Sequence, residues 1–210
     1  MDKNLLKAAF VLAAIGLSAC SSEPAKTTET KTETAAPKAP AGPPEPVLAK
    51  TAFYEMYTPA HAWAADLLPI SLKSGEVAGV KNAEGKAGLW TAVFVSPSQH
   101  AARTYTYAVV EQLPNIAKGV KAEGTEPWAG PTAAVMTFQT SDFTIDSDAA
   151  YKTAAAKAGD YLKENADKPV SFSLGAASRF PAPVWYIVFG SEKSGFAAVI
   201  NATTGNIVTK

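Results

Sequence analysis

The chain has 210 residues, 47% of them hydrophobic, with 19 basic and 19 acidic side chains, two histidines and one cysteine. So even a balance leaves no basic face dense enough for nucleic acid as a partner. A single cysteine excludes an internal disulfide.

The amino terminus carries Lys3 and Lys7, an apolar run from Ala8 to Leu17, and the small residues Ser18 and Ala19 before Cys20. Charged, apolar and small-residue parts in this order make residues 1–19 a signal peptide. The run is too short to cross about 30 Å of hydrocarbon, which takes roughly 20 apolar residues. Leu17-Ser18-Ala19-Cys20 resembles the lipobox of bacterial lipoproteins. That resemblance implies a diacylglycerol on the Cys20 thiol, cleavage before it, and a membrane partner reached through acyl chains such as palmitate. With its thiol so used, Cys20 is free neither for a metal nor for nucleophilic attack. Ser21 in place of Asp after the cysteine implies, by the same resemblance, the periplasmic face of an outer membrane in a cell that has one.

Residues 20–48 are Pro, Thr, Ala, Lys and Glu with almost no large apolar side chain. Such a stretch has too little to bury to offset its ordering entropy, so it is predicted to be a disordered leash. Thr58-Pro59 predicts a helix start, with His61, Ala64, Ala65 and Leu68 on one stripe. Ile70-Ser71-Leu72 follows as an extended segment, and Trp90–Ser96 and Arg103–Val109 form a hairpin about Pro97–His100. Trp128, between Pro127 and Pro131, is expected in a loop, either available to a partner or wedged between the two units. A second helix, capped by Asp146 or Ser147, carries Ala150, Ala154, Ala158, Tyr161 and Leu162 on one face. Val170–Leu174 is again extended, and Trp185–Ser191 turns at Glu192–Gly195 into Phe196–Ile200. Trp, Val, Phe and Ser recur at the same places in Trp90–Ser96 and Trp185–Ser191, which points to an internal duplication. The expected domains are therefore 49–141, with a connecting loop, and 142–210.

The run from Pro183 to Phe189, then Ala197–Ile200, Asn201, Ala202 and the turn Thr203-Thr204-Gly205-Asn206 before Ile207-Val208, resembles the PepSY domain. The resemblance covers about residues 143–208; residues 51–110 resemble it more weakly and lack the closing Thr-Gly turn. It implies an α+β fold of two tandem units, each a helix packed on an antiparallel sheet of about three strands. It also implies a role in protein binding or peptidase inhibition, and it brings no catalytic motif.

Candidate chemistry yields to plainer readings. Asp142, Asp146 and Asp148 suggest a calcium loop, but Ala150, Tyr151 and Lys157 occupy its fifth, sixth and twelfth places, so helix capping is the better account. Gly85-Lys86 and Gly119 with Gly124-Thr125 miss the phosphate-loop spacing and read as turn glycines. His61 and His100 belong to no metal or triad pattern. Asp66, Glu76, Glu111 and Asp160 are the carboxylates open to hydrolytic work, most simply solvated charges. Trp90, Phe94, Trp185 and Phe189 read as core. The site expected is therefore lipid attachment at Cys20, with no catalytic residue, no metal and no cofactor. The expected function is an envelope lipoprotein that binds an envelope protein or a secreted peptidase; a cell-wall hydrolase and a carrier of an apolar small molecule are the alternatives.

Overall fold

The computed structural model describes residues 44–208, so the expected signal peptide, Cys20 and the part of the expected leash before residue 44 lie outside the described residues. The described chain runs β1 (Val47–Leu48), α1 (Ala49–Trp63), β2 (Leu68–Gly75), β3 (Lys86–Ala87), β4 (Leu89–Ser96), β5 (Ala101–Ala108) and β6 (Gly119–Pro127). After a 3-10 turn at Thr140–Asp142 come α2 (Ser147–Lys157), α3 (Gly159–Glu164), β7 (Val170–Gly175), β8 (Val184–Phe189) and β9 (Phe196–Asn201).

Seven strands form one antiparallel sheet in the order β6-β5-β4-β2-β7-β8-β9, and β1 with β3 makes a small ribbon beside it. This corrects the expected fold. The chain is mostly β, built on one seven-stranded sheet, and is not two tandem helix-on-sheet units. The deciding contact is the antiparallel pairing of β2 with β7, Leu72 opposite Leu174 and Lys73 opposite Ser173. Directly opposed residues project to the same side of a sheet. Tyr105, Ala92, Leu72, Leu174, Trp185 and Ile200 therefore make one row across six strands, and all six are buried.

Both long helices pack on this side. Alpha-helical spacing puts Ala49, Ala52, Phe53, Met56 and Ala60 of α1 on one buried stripe. In α2, Ala150 and Ala154 let the backbone lie close to the strands. An aromatic chain joins the two halves of the core: Phe94 to Phe53, Phe53 to Phe143, and Phe143 to Trp185, with ring centroids 5.5–5.6 Å apart. Edge-to-face pairs at such distances are favourable beyond the area they bury.

The expected hairpins β4–β5 and β8–β9 form. The second helix begins at Ser147 as expected but ends at Lys157, so Tyr161 and Leu162 lie on the separate α3 and do not continue its face. The first helix does not begin at Thr58-Pro59. It starts at Ala49 and carries Pro59 inside its last turns, where Thr58 Oγ donates to the Tyr54 carbonyl. Leu48 at its N-cap offers no side-chain oxygen; instead Ser147 Oγ accepts from Ala49 N–H and Asp146 Oδ1 from Lys50 N–H, each at 3.0 Å. Asp146 Oδ1 also accepts from Ser147 N–H, so one carboxylate caps two helices. The two indoles recognise the approaches to these helices: Trp90 Nε1 donates to the Val47 carbonyl and Trp185 Nε1 to the Ile145 carbonyl. Gly85, at φ +85°, brings the β3 turn against the backbone of Ser147 and Asp148, where any Cβ would collide.

Candidate functional site

The other side of the sheet is open over β2, β7 and β8. Lys73, Ser173 and Tyr186 stand opposite one another there, and Tyr186 is 41% exposed. Two loops rise beside them and are tied together: Met136 N–H donates to the Ala176 carbonyl, and both Ser178 N–H and Ser178 Oγ donate to the Ala133 carbonyl. Between sheet and loops lies a groove of about 460 Å³. Its apolar surface comes from Ile70, Val135, Phe180, Val184 and Tyr186, its cations are Lys73 and Arg179, and no carboxylate lines it. Small residues, Ala134, Gly175, Ala176 and Ala177, keep the space open. The guanidinium of Arg179 sits over the Phe180 ring, 4.7 Å from its centroid. Neither Lys73 nor Arg179 forms an ion pair among the described residues. The volume falls within the range of small-molecule sites, about 300–1,000 Å³.

The residues singled out in the sequence lie elsewhere. Cys20 is outside the described residues. His61 is exposed on α1 with its ring 5.9 Å from Tyr57, and His100 is exposed in the β4–β5 turn, its carbonyl accepting from Trp128 N–H. Trp128 is half-buried there, just past the end of β6. Asp160 accepts from Lys163 Nζ at 2.9 Å, and Glu111 is exposed. Glu76 shares a smaller pocket of about 240 Å³ with Asp167, Lys81 and Asn82. No group of three metal-ligating side chains occurs among the described residues, and no described helix is long and apolar enough to cross a membrane.

Of Asp66, Glu76, Glu111 and Asp160, Asp66 is the one that accepts from both a side chain and a backbone amide. Ser96 Oγ donates to its Oδ1 at 2.7 Å and Ser98 N–H to its Oδ2 at 2.8 Å, while Gln99 N–H donates to Ser96 Oγ. The Ser96 hydrogen bond foremost, then that of the Ser98 amide, lowers its pKa from 3.8 to about 2. Such a carboxylate is a weak base, and Ser96 has no exposed surface to offer a substrate. The cluster therefore reads as a clamp on the β4–β5 turn. A carboxyl whose pKa falls on folding stabilises the fold above its unfolded value and ceases to do so as pH drops through the folded one. The expected result is that Asp66→Asn lowers the melting temperature near neutrality, with the difference from the parent shrinking between about pH 4 and pH 2. A difference that stays constant over that interval would show that the charge of Asp66 is not what holds the turn.

Lys73, Arg179, Val135 and Tyr186 carried no sequence signal as a group. They come from two strands and two loops that only the β2–β7 pairing and the loop hydrogen bonds bring together.

No protein-family model matches the chain, and no curated protein is detectably similar to it. The PepSY resemblance of residues 143–208 thus has no family match behind it. Among solved structures, the fold is similar to that of a "putative lipoprotein" from Clostridium difficile 630. The two share 12% identity at a TM-score of 0.49, over 75% of this chain and 90% of that one. A likeness of that degree carries no argument about function.

Proposed function

We propose that the protein is an exported, lipid-anchored envelope protein that works by binding and not by catalysis. The anchor reading rests on the signal peptide and on Leu17-Ser18-Ala19-Cys20. The binding reading is carried by the groove on the open sheet face, in which unpaired cations and exposed apolar side chains converge on one hollow. Exposed apolar surface gathered in this way marks interaction sites on soluble domains. An envelope protein or a secreted peptidase is one class of partner. A second reading, carriage of an apolar small molecule, is favoured by the apolar lining of the groove.

The anchor is tested by Cys20→Ser. Two or more acyl chains, at about 0.8 kcal/mol per buried methylene, hold a protein stably on a bilayer, and the variant has none. It is expected to leave the membrane fraction for the soluble one. A variant that still sediments with membranes as the parent does overturns the anchor. The same soluble protein tests the rest: turnover of peptide, ester or glycan substrates that follows it through purification overturns the binding reading.

A further inference from the structure

We infer that the groove between the open sheet face and the paired loops takes a free long-chain carboxylate, the acyl chain lying on Val135, Phe180, Val184 and Tyr186 and the carboxylate meeting Lys73 and Arg179. This rests on the binding reading above and names its ligand.

Charge fixes the polar end. Among the described residues, Lys73 and Arg179 are the only charged groups lining the groove, both are cationic, and neither has an acidic partner. The uncharged polar side chains around them, Ser71, Ser173 and Tyr186, are hydroxyls that can donate to the same oxygens. Arg179, stacked on Phe180, keeps the edge of its guanidinium free, and that edge matches the geometry of a carboxylate.

The floor decides between an acyl chain and an extended peptide. Peptides commonly dock by adding a strand to a sheet edge. Here the floor strands β2, β7 and β8 are interior, each paired on both sides, so they have no ladder to offer. The loops of the wall bond to one another, Met136 with Ala176 and Ser178 with Ala133. A peptide laid in this groove would find no backbone ladder and only the scattered hydroxyls of Ser71, Ser173 and Tyr186 for its amides, leaving those over Val135 and Val184 unpaired, and an unpaired buried amide is costly. A methylene chain has no such groups, and it gains from every carbon removed from water.

The test uses the full exported chain carrying Cys20→Ser, with binding followed by calorimetry and by native mass spectrometry. Dodecanoate is expected to bind saturably with one molecule per chain, below the concentration at which it forms micelles. Octanoate, four methylenes shorter, is expected to bind at least about tenfold more weakly even where only half of that length is covered. Dodecan-1-ol, equal in length but uncharged, is expected to be at least about tenfold weaker than dodecanoate. Replacing Lys73→Gln together with Arg179→Gln should bring dodecanoate down to the level of the alcohol. Both side chains are exposed and unpaired, so the melting temperature should not move, which separates lost binding from lost folding.

Equal affinity for acid and alcohol, no dependence on chain length, or no saturable binding of dodecanoate overturns the proposal. So does binding of the Cys20→Ser chain to phosphatidylglycerol vesicles with no measurable affinity for monomeric dodecanoate, which would make the face a membrane contact. If dodecanoate fails while an envelope protein binds the parent chain and is lost with Val135→Asp, the ligand class is wrong and the groove remains a binding site. If neither binds, both readings fall together.

Discussion

Trp185→Ala is expected to lower the melting temperature by roughly 6–20 °C. The indole is fully buried on β8, one strand in from the edge of the sheet, opposite Leu174 on one side and Ile200 on the other. It is the last ring of the aromatic chain through Phe94, Phe53 and Phe143 that unites the two halves of the core. Truncating a buried aromatic side chain costs about 3–5 kcal/mol, because the transfer free energy is lost and the neighbours only partly fill the hole. For a domain of this size, 1 kcal/mol corresponds to roughly 2–4 °C. A second loss adds to it, since the Ile145 carbonyl, bonded at 2.9 Å by Trp185 Nε1, is left without its donor. Trp185→Phe separates the two contributions: it keeps a ring in the core, removes the N–H, and should fall between parent and alanine variant. Thermal unfolding followed by circular dichroism checks both. A melting curve for Trp185→Ala within a few degrees of the parent would mean that this row is not the centre of one shared core.

What could be read from the sequence was local. The Trp–Val–Phe–Ser recurrence marks β4 and β8, because aromatic and β-branched residues alternating between turns leave a period-two pattern in a short window. Asp146 is recognisable as a cap because the helix it serves follows it immediately. The start of α1 is not, since its caps come from residues nearly a hundred positions away and Leu48 itself has no capping group. Pro59, whose missing N–H commonly marks a first turn, instead sits in the last turns on the exposed side. β6 was invisible for another reason. Gly119 and Gly124 look like turn residues, and the strand is exposed almost throughout, so no apolar alternation betrays it. It forms because β5 presents a ladder to fill. The joining of both halves through β2 and β7 pairs residues about a hundred apart, and such a contact writes no pattern in either strand. The groove depends on that joining and on two loops of small residues, which is why nothing in the sequence singles out its cations.

The second large effect is expected at Asp146, and it should exceed that of an ordinary helix cap. Removing an N-cap side chain typically costs about 1 kcal/mol and at most about 2. Asp146 Oδ1, however, accepts from Ser147 N–H at 2.7 Å at the start of α2 and from Lys50 N–H at 3.0 Å in the first turn of α1. The carboxylate charge thus lies beside the N-terminal ends of two helices, where negative charge is favoured by both dipoles. Asp146→Ala is therefore expected to cost about 2–3 kcal/mol, the loss of two caps in place of one. Its effect should also depend on the neighbour. Ser147 Oγ accepts from Ala49 N–H, so Ser147→Ala removes a further donor's partner at the same helix start. Because the two side chains hold adjacent amides of α1, the double variant should lose less than the sum of the single ones, as expected once either change lets the first turn of α1 fray. Denaturant unfolding of the three variants measures this coupling. Strict additivity would show that the two side chains act independently, and an Asp146→Ala cost below about 1 kcal/mol would show that the cap on α1 contributes nothing.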